Sequence, residues 1–202
     1  MILIIDYGMG NIHSVQKALE NQGGEVLVSD KPDDFRKADK LVLPGVGAFG
    51  DAMRELHKRR LIAPLLEETR NKKPLLGICL GLQLFFEASE ESKDVKGLGL
   101  MKGRVKKFNI SSDLKVPHIG WNQIFDFNPA CPLLKDIESS AFVYFCHSYY
   151  PAPAEKSVCA AMTEYGIKFA SLVWKDNIFG VQFHPEKSQK VGLKIIKNFV
   201  EL

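Results

Sequence analysis

The chain has 202 residues, 46% hydrophobic and 25% charged, an ordinary globular composition that excludes a disordered tail, a collagen and a coiled coil. At roughly 100–200 residues per domain, this length predicts one domain over residues 1–202. Lys plus Arg number 27 against 24 Asp plus Glu, and a net charge of +3 spread along the chain argues against a nucleic-acid or membrane-surface partner. The densest basic cluster, His57-Lys58-Arg59-Arg60, reads as a solvated helix end. No stretch reaches the ~18 apolar residues of a membrane span. Met1 to Asp6 has no basic leader and reads as a strand, not a signal peptide. The four cysteines form no Cys-x-x-Cys pair, so reduced thiols in the cytoplasm are expected.

In chain order, Met1–Ile5 is an apolar run suited to a strand buried on both faces. Tyr7 to Gly10 is a turn, Asn11 is a candidate N-cap, and Ile12, Val15 and Leu19 follow at helical spacing. Gly23-Gly24 stops that helix. Short strands are predicted at 25–29 and 40–43, then a Gly-rich loop, helical segments over 51–71, a strand at 75–78 and a helix over 80–87. Strands alternating with helices imply a mostly parallel sheet flanked by helices. The second half changes rhythm. Strands are predicted at 105–108, 121–125, 142–148, 158–163, 169–174 and 178–183, with short turns between them, so antiparallel pieces join the sheet there. Residues 188–202 form an amphipathic closing helix.

The strongest local signal is Gly77-Ile78-Cys79-Leu80-Gly81, where an apolar strand meets a helix. Gly-x-nucleophile-x-Gly at such a corner is a nucleophile elbow, which exposes the side chain beside the helix N-terminus and a backbone N–H. The other thiols, Cys131, Cys146 and Cys159, are expected to be buried and structural. A thiolate nucleophile needs a base, and the base needs an orienting group. His184-Pro185-Glu186 follows a strand and places imidazole and carboxylate close together. Alone, His-x-Glu is a weak pattern. Behind an upstream elbow, it completes an ordered Cys–His–Glu set. Gly45-Val46-Gly47-Ala48-Phe49-Gly50 matches the dinucleotide pattern Gly-x-Gly-x-x-Gly. Pro44 precedes it, however, and Glu67 and Glu68 lie in a predicted helix where the ribose contact needs a strand end. It reads better as a flexible strand end supplying N–H groups near Cys79.

These residues carry a resemblance. Gly77 to Gln83 with Phe183-His184-Pro185-Glu186 resembles the class I, triad-type glutamine amidotransferases. Residues 6–11, 43–49, 117–122 and 144–149 are similar to the branch of that family serving imidazole glycerol phosphate formation, and the likeness runs in order along the chain. Leu82 stands where several other members carry His, and Cys146 where the branch more often has Val, an exchange expected to be harmless in a core. The resemblance implies a flavodoxin-like α/β fold. It implies Cys79 as nucleophile, His184 as base and Glu186 as orienting carboxylate. The N–H of Leu80 and one from Gly45-Val46-Gly47 would form the oxyanion hole, while Gln83, His147, Ser148 and Tyr149 would hold glutamine. His118, Trp121, Tyr144 and Lys187 are implied to lie near a partner. That partner is a separate (β/α)8-barrel cyclase subunit; no cofactor or metal is implied.

The 202-residue length leaves no room for a synthase domain beside a glutaminase, so ammonia is expected to pass to another polypeptide. Other readings remain open: a glutaminase feeding a related barrel in sugar amidination, a cysteine hydrolase or peptidase on the same elbow, and a regulatory subunit without activity. Val46 between two glycines also predicts peptide planes free to turn, so that the oxyanion donor could be switched on by partner and substrate.

Overall fold

Period-two alternation in the short apolar strands sorts their side chains onto two helix-covered faces. The structure, a computed structural model, describes residues 1–110 and 114–202. Its first half runs β1 (Ile2–Ile5), α1 (Ile12–Asn21), β2 (Val26–Ser29), α2 (Asp34–Lys37), β3 (Lys40–Leu43), α3 (Phe49–Lys58), α4 (Ile62–Arg70), β4 (Leu75–Ile78) and the one-turn α5 (Leu80–Gln83). The second half runs β5 (Ala88–Ser89), β6 (Ser92–Lys96), β7 (Gly103–Lys107), β8 (His118–Ile124), β9 (Ala141–His147), β10 (Tyr149–Pro153), β11 (Cys159–Glu164), β12 (Lys168–Lys175), β13 (Ile178–Val181) and α6 (Gln189–Val200). Ile2, Ile4, Val42 and Leu76 face Val15 and Leu19 of α1 and Ile195, Ile196 and Phe199 of α6. Leu3, Ile5, Leu41 and Leu75 face Phe49, Met53 and Leu56 of α3 and Leu65 of α4.

The main sheet has the order β11-β12-β13-β4-β3-β1-β2. Strands β13, β4, β3, β1 and β2 run parallel, whereas β11 and β12 are antiparallel additions. The parallel part has the flavodoxin-like doubly wound order, in which ligands meet the carboxyl ends of the strands. A four-stranded sheet, β10-β7-β5-β6, and the β8-β9 ribbon complete the fold.

Several predicted elements change. The helix expected over 80–87 stops at Gln83. Phe85 N and Phe86 N donate to Leu82 O and Gln83 O, tightening the last turn, and the Leu84 and Phe85 carbonyls accept from Leu98 N and Met101 N instead of continuing a helix. Asn11 precedes α1 but makes no side-chain capping bond. β6, read as Ser-Lys-Asp-Val-Lys, is a polar sheet-edge strand without an apolar pattern. It carries no strand signal for that reason; β10 holds two prolines, and β5 and α2 are too short to show a period.

Candidate active site

The carboxyl ends of three adjacent parallel strands, β3, β4 and β13, carry the loop 44–48, Cys79 and the segment leading to His184. Cys79 has φ 52° and ψ −106°, a sparsely populated conformation for a residue with a side chain, costing of order 1–3 kcal/mol. The surroundings hold it there. Cys79 N donates to Val181 O (2.8 Å), and Cys79 O accepts from Gln83 N (3.2 Å). At Gly81 a Cβ would lie 1.8 Å from the Leu43 carbonyl oxygen, and at Gly45 one would lie 2.5 Å from the Tyr7 hydroxyl and 2.9 Å from Leu80 Cβ. Only glycines let the β3 end and the elbow approach this closely. Tyr7 Oη donates to Pro44 O at 2.8 Å, and burial, aided by the charge of Cys79, pushes its hydroxyl pKa far up. Gly45 is thus packed under the elbow, and Val46 and Gly47 (φ +97°) form the part of that loop lining the cavity.

His184 is fixed on both sides of its peptide. Its N–H donates to Tyr144 O (2.9 Å). Its carbonyl accepts from Ser188 Oγ (2.6 Å), and that same hydroxyl accepts from Tyr144 N (2.9 Å). The ring Nδ1 lies 2.9 Å from Glu186 Oε1, with side-chain exposures of 5% and 1%. Glu186 Oε2 is buried without a hydrogen-bond partner among the described residues. Burial alone would lower the His184 pKa, but hydrogen bonds and charge from Cys79 and Glu186 outweigh it and raise the pKa from 6.5 to about 10. The Cys79 sulfur and the Glu186 carboxylate thus both favour the protonated imidazole.

Cys79 and His184 open into a cavity of about 310 Å³, walled by Leu80, Gln83, Glu91, His147, Ser148 and Tyr149, with Cys146 and Lys187 also among its lining residues. Gln83 Nε2 donates to Tyr149 O (2.9 Å) and to Gln182 Oε1 (3.1 Å). His147 contributes its ring as a wall, but both nitrogens are engaged, Nε2 with His118 Nδ1 (3.2 Å) and Nδ1 with Tyr149 O (2.8 Å). Among the described residues, no three His, Cys, Asp or Glu side chains gather into a metal-binding group.

Two expectations are corrected. His118 does not lie on an exposed partner face. It is 3% exposed and stacked between Phe145 and Tyr165, because β8 alternates and His118 pairs with His147 on the inner side of the ribbon. Cys146 is not core. It is exposed, on the outer side of β9 with Phe142 and Tyr144. That outer face also bears Trp121, and Lys187 Nζ sits 5.9 Å from the Tyr144 ring centroid.

A model of the family "Glutamine amidotransferase class-I" matches residues 3–202. The chain belongs to the class I glutamine amidotransferases. Imidazole glycerol phosphate synthase subunit HisH of Syntrophotalea carbinolica is 50% identical over the whole of both chains. The same-named protein of Moorella thermoacetica is 50% identical over 100% of this chain and 94% of its own. That of Acinetobacter baylyi is 46% identical over 99% and 97%. The structure of PurLQS from Thermotoga maritima superposes with a TM-score of 0.76 at 20% identity, covering 99% of this chain and 97% of that one. The glutaminase domain of Trypanosoma brucei CTPS with bound acivicin gives 0.67 at 14%, covering 99% and 93%. Both likenesses concern the fold.

Sequence reasoning missed Glu91, Gln182 and Ser188. Ser188 and Gln182 flank the His184 motif and were within its reach. Glu91 enters the cavity wall through the β5–β6 turn, where its Oε2 accepts from Phe49 N at 2.7 Å, and nothing local in the sequence announces that.

Proposed function

We propose that this chain is the glutaminase subunit of an imidazole glycerol phosphate synthase, working as one domain over residues 1–202 in the cytoplasm and passing ammonia to a (β/α)8-barrel cyclase subunit in histidine biosynthesis. The observation that carries the reading is the pairing of an elbow thiol with a carboxylate-held imidazole at the mouth of a cavity sized for one amino acid. In this mechanism the Cys79 thiolate attacks the side-chain carboxamide carbon of glutamine. The oxyanion takes the N–H of Leu80, at the start of α5, and one from the Val46–Gly47 stretch; a single such donor is worth about 2.7–4 kcal/mol. Collapse of the tetrahedral adduct breaks the C–N bond while His184 gives its proton to the leaving nitrogen, releasing ammonia and leaving a thioester. The imidazole, now neutral, takes a proton from water. The hydroxide adds to the thioester, glutamate leaves, and the thiolate with its imidazolium is restored. These steps use side chains and backbone only.

In the wall of the same cavity, the Glu91 carboxylate would offer charge to the α-ammonium, and Gln83, Ser148 and Tyr149 would offer amide, hydroxyl and backbone groups to the amino-acid end. The ammonia exit would lie toward the outer face of the β8–β9 ribbon, where Ile119, Trp121 and Phe142 are 58%, 45% and 53% exposed. These apolar side chains, with Tyr144 and Lys187, suit a large protein partner. Turning of the peptide planes around Val46 on docking would supply the switched oxyanion donor. The test is Cys79→Ser in complex with the barrel. Glutamine-dependent synthase activity should vanish while ammonium-dependent activity stays at the wild-type level. Loss of both would assign Cys79 to structure or assembly.

A further inference from the structure

Gln182 lies one residue beyond β13, fully buried, its backbone N–H given to Ser171 O at 2.9 Å. Its side chain bridges two parts of the cavity wall. Oε1 accepts from Gln83 Nε2 (3.1 Å), and Nε2 points at Cys79 Sγ (3.6 Å). The two ends of an amide are assigned by the bonds they make, and here the chain of bonds leaves one assignment. Tyr149 O accepts only, so Gln83 must turn its NH2 toward it. That NH2 also faces Gln182, which must answer with its oxygen. The remaining end of Gln182, a donor, is then directed at the sulfur. The opposite sense would set NH2 against NH2 and an oxygen against the nucleophile.

We propose that Gln182 is a catalytic residue, a buried amide donor that holds the Cys79 thiolate, with its sense fixed through Gln83 by the Tyr149 carbonyl. A donor to a charged acceptor in a buried site is stronger than a neutral pair, and this one is already oriented before substrate arrives. It complements His184 from a second direction and needs no proton transfer. The proposal rests on the thiolate nucleophile of the proposed function.

The test follows alkylation of the Cys79 peptide by iodoacetamide across pH, in the full chain, so that it reads the sulfur without using glutamine. Gln182→Met keeps the length and removes the donor. It should slow alkylation about tenfold on the acid limb of the profile, below the pH at which the wild-type rate levels off, the size of one lost hydrogen bond to a charge, and converge with the wild type on the plateau. Gln182→Glu keeps the shape and adds a negative charge, so it should slow the reaction more than Met. In the barrel complex, kcat for glutamine should fall in parallel; Gln182→Glu, which keeps the acceptor for Gln83, should leave KM less changed than Met. Superimposable alkylation profiles for a folded Met or Glu variant and the wild type would overturn the assignment. If Met fails to fold, the isosteric Glu variant decides alone. An absence of glutamine hydrolysis by the wild-type complex would instead strike the proposed function, and the alkylation profile would still report on Gln182.

Discussion

Two groups of histidines meet at one cavity, His184 and His147 in its wall and His118 behind His147, and their pKa values move in opposite directions. His184, after β13, is raised from 6.5 to about 10. His118 and His147, paired across the β8–β9 ribbon, are lowered to about 4 and about 3. All three are buried, so burial does not distinguish them. Their neighbours do. His184 faces the Glu186 carboxylate and the Cys79 thiol. Desolvation dominates at His118 and His147; His147 meets only a carbonyl that favours its charge, while His118 and His184 both repel it. Desolvation sets the cost of a charge, and a fixed counter-charge decides whether the cost is overcome. The fold thus places one ring able to deliver a proton beside His147, whose pKa burial lowers, in the same cavity wall, with His118 packed behind it.

The sharpest way to break that contrast is to remove the counter-charge. Glu186→Gln keeps the shape and deletes the carboxylate, so the His184 pKa should fall toward that of the other two rings. Glutamine hydrolysis in the barrel complex should fall by about 10²–10⁴-fold, the usual worth of a positioned acid–base group. Ammonium-dependent synthesis should be unchanged. An NMR titration of the His184 ring is the direct readout. A ring still protonated at pH 8 in the variant would mean that Cys79 alone holds the charge and that the carboxylate serves geometry.

A smaller effect separates the two groups by pH. His118 and His147 have folded pKa values below the ordinary one, so as pH falls below about 6.5 the unfolded chain takes up protons that the folded protein refuses. Stability should therefore decline from about pH 6.5 toward about 3–4, by a few kcal/mol in order of magnitude. His184 has the opposite sign. Its contribution is complete below about 6.5 and is lost as pH rises through about 10. Urea unfolding of wild type and His118→Phe between pH 7 and pH 4 checks the acid limb, and the variant should lose less. Equal losses would place the acid sensitivity elsewhere.

The same two regions mark how far the sequence could be read. The parallel strands are continuous apolar runs with the elbow at one of their ends, so the fold class and Cys79 stand out from local signals, whereas the short His184–Glu186 pattern gains weight only from the elbow far upstream. The antiparallel ribbon follows a different logic. Which face of β8 and β9 turns inward depends on register, and a one-residue slip exchanges every side chain between core and solvent. His118 turns inward and Cys146 outward for that reason, and Trp121 lies on the outer side. Gln182 sits beside the His184 motif, but its side-chain partner Gln83 is 99 residues away, and Glu91 is tied to Phe49 across 42 residues, distances that no spacing rule reaches.

The smallest predicted effect on stability tests the two faces of the ribbon against each other. The inner side of β8–β9 is packed: His118 stacks on Phe145, and Phe145 meets Phe169 and Phe183 edge-on. The outer side holds Trp121, 45% exposed, whose ring lies 6.1 Å from that of Tyr144 in an edge-to-face contact. Truncating an exposed side chain leaves no cavity in the core, so Trp121→Ala should change unfolding stability by no more than about 0.5 kcal/mol. A large aromatic at the centre of an interface is worth about 2 kcal/mol or more in binding, so affinity for the barrel should fall about 30-fold or more. Calorimetric melting and titration with the barrel measure the two effects on one preparation. A marked fall in melting temperature with unchanged affinity would make Trp121 part of the fold and would move the docking face away from the ribbon's outer side.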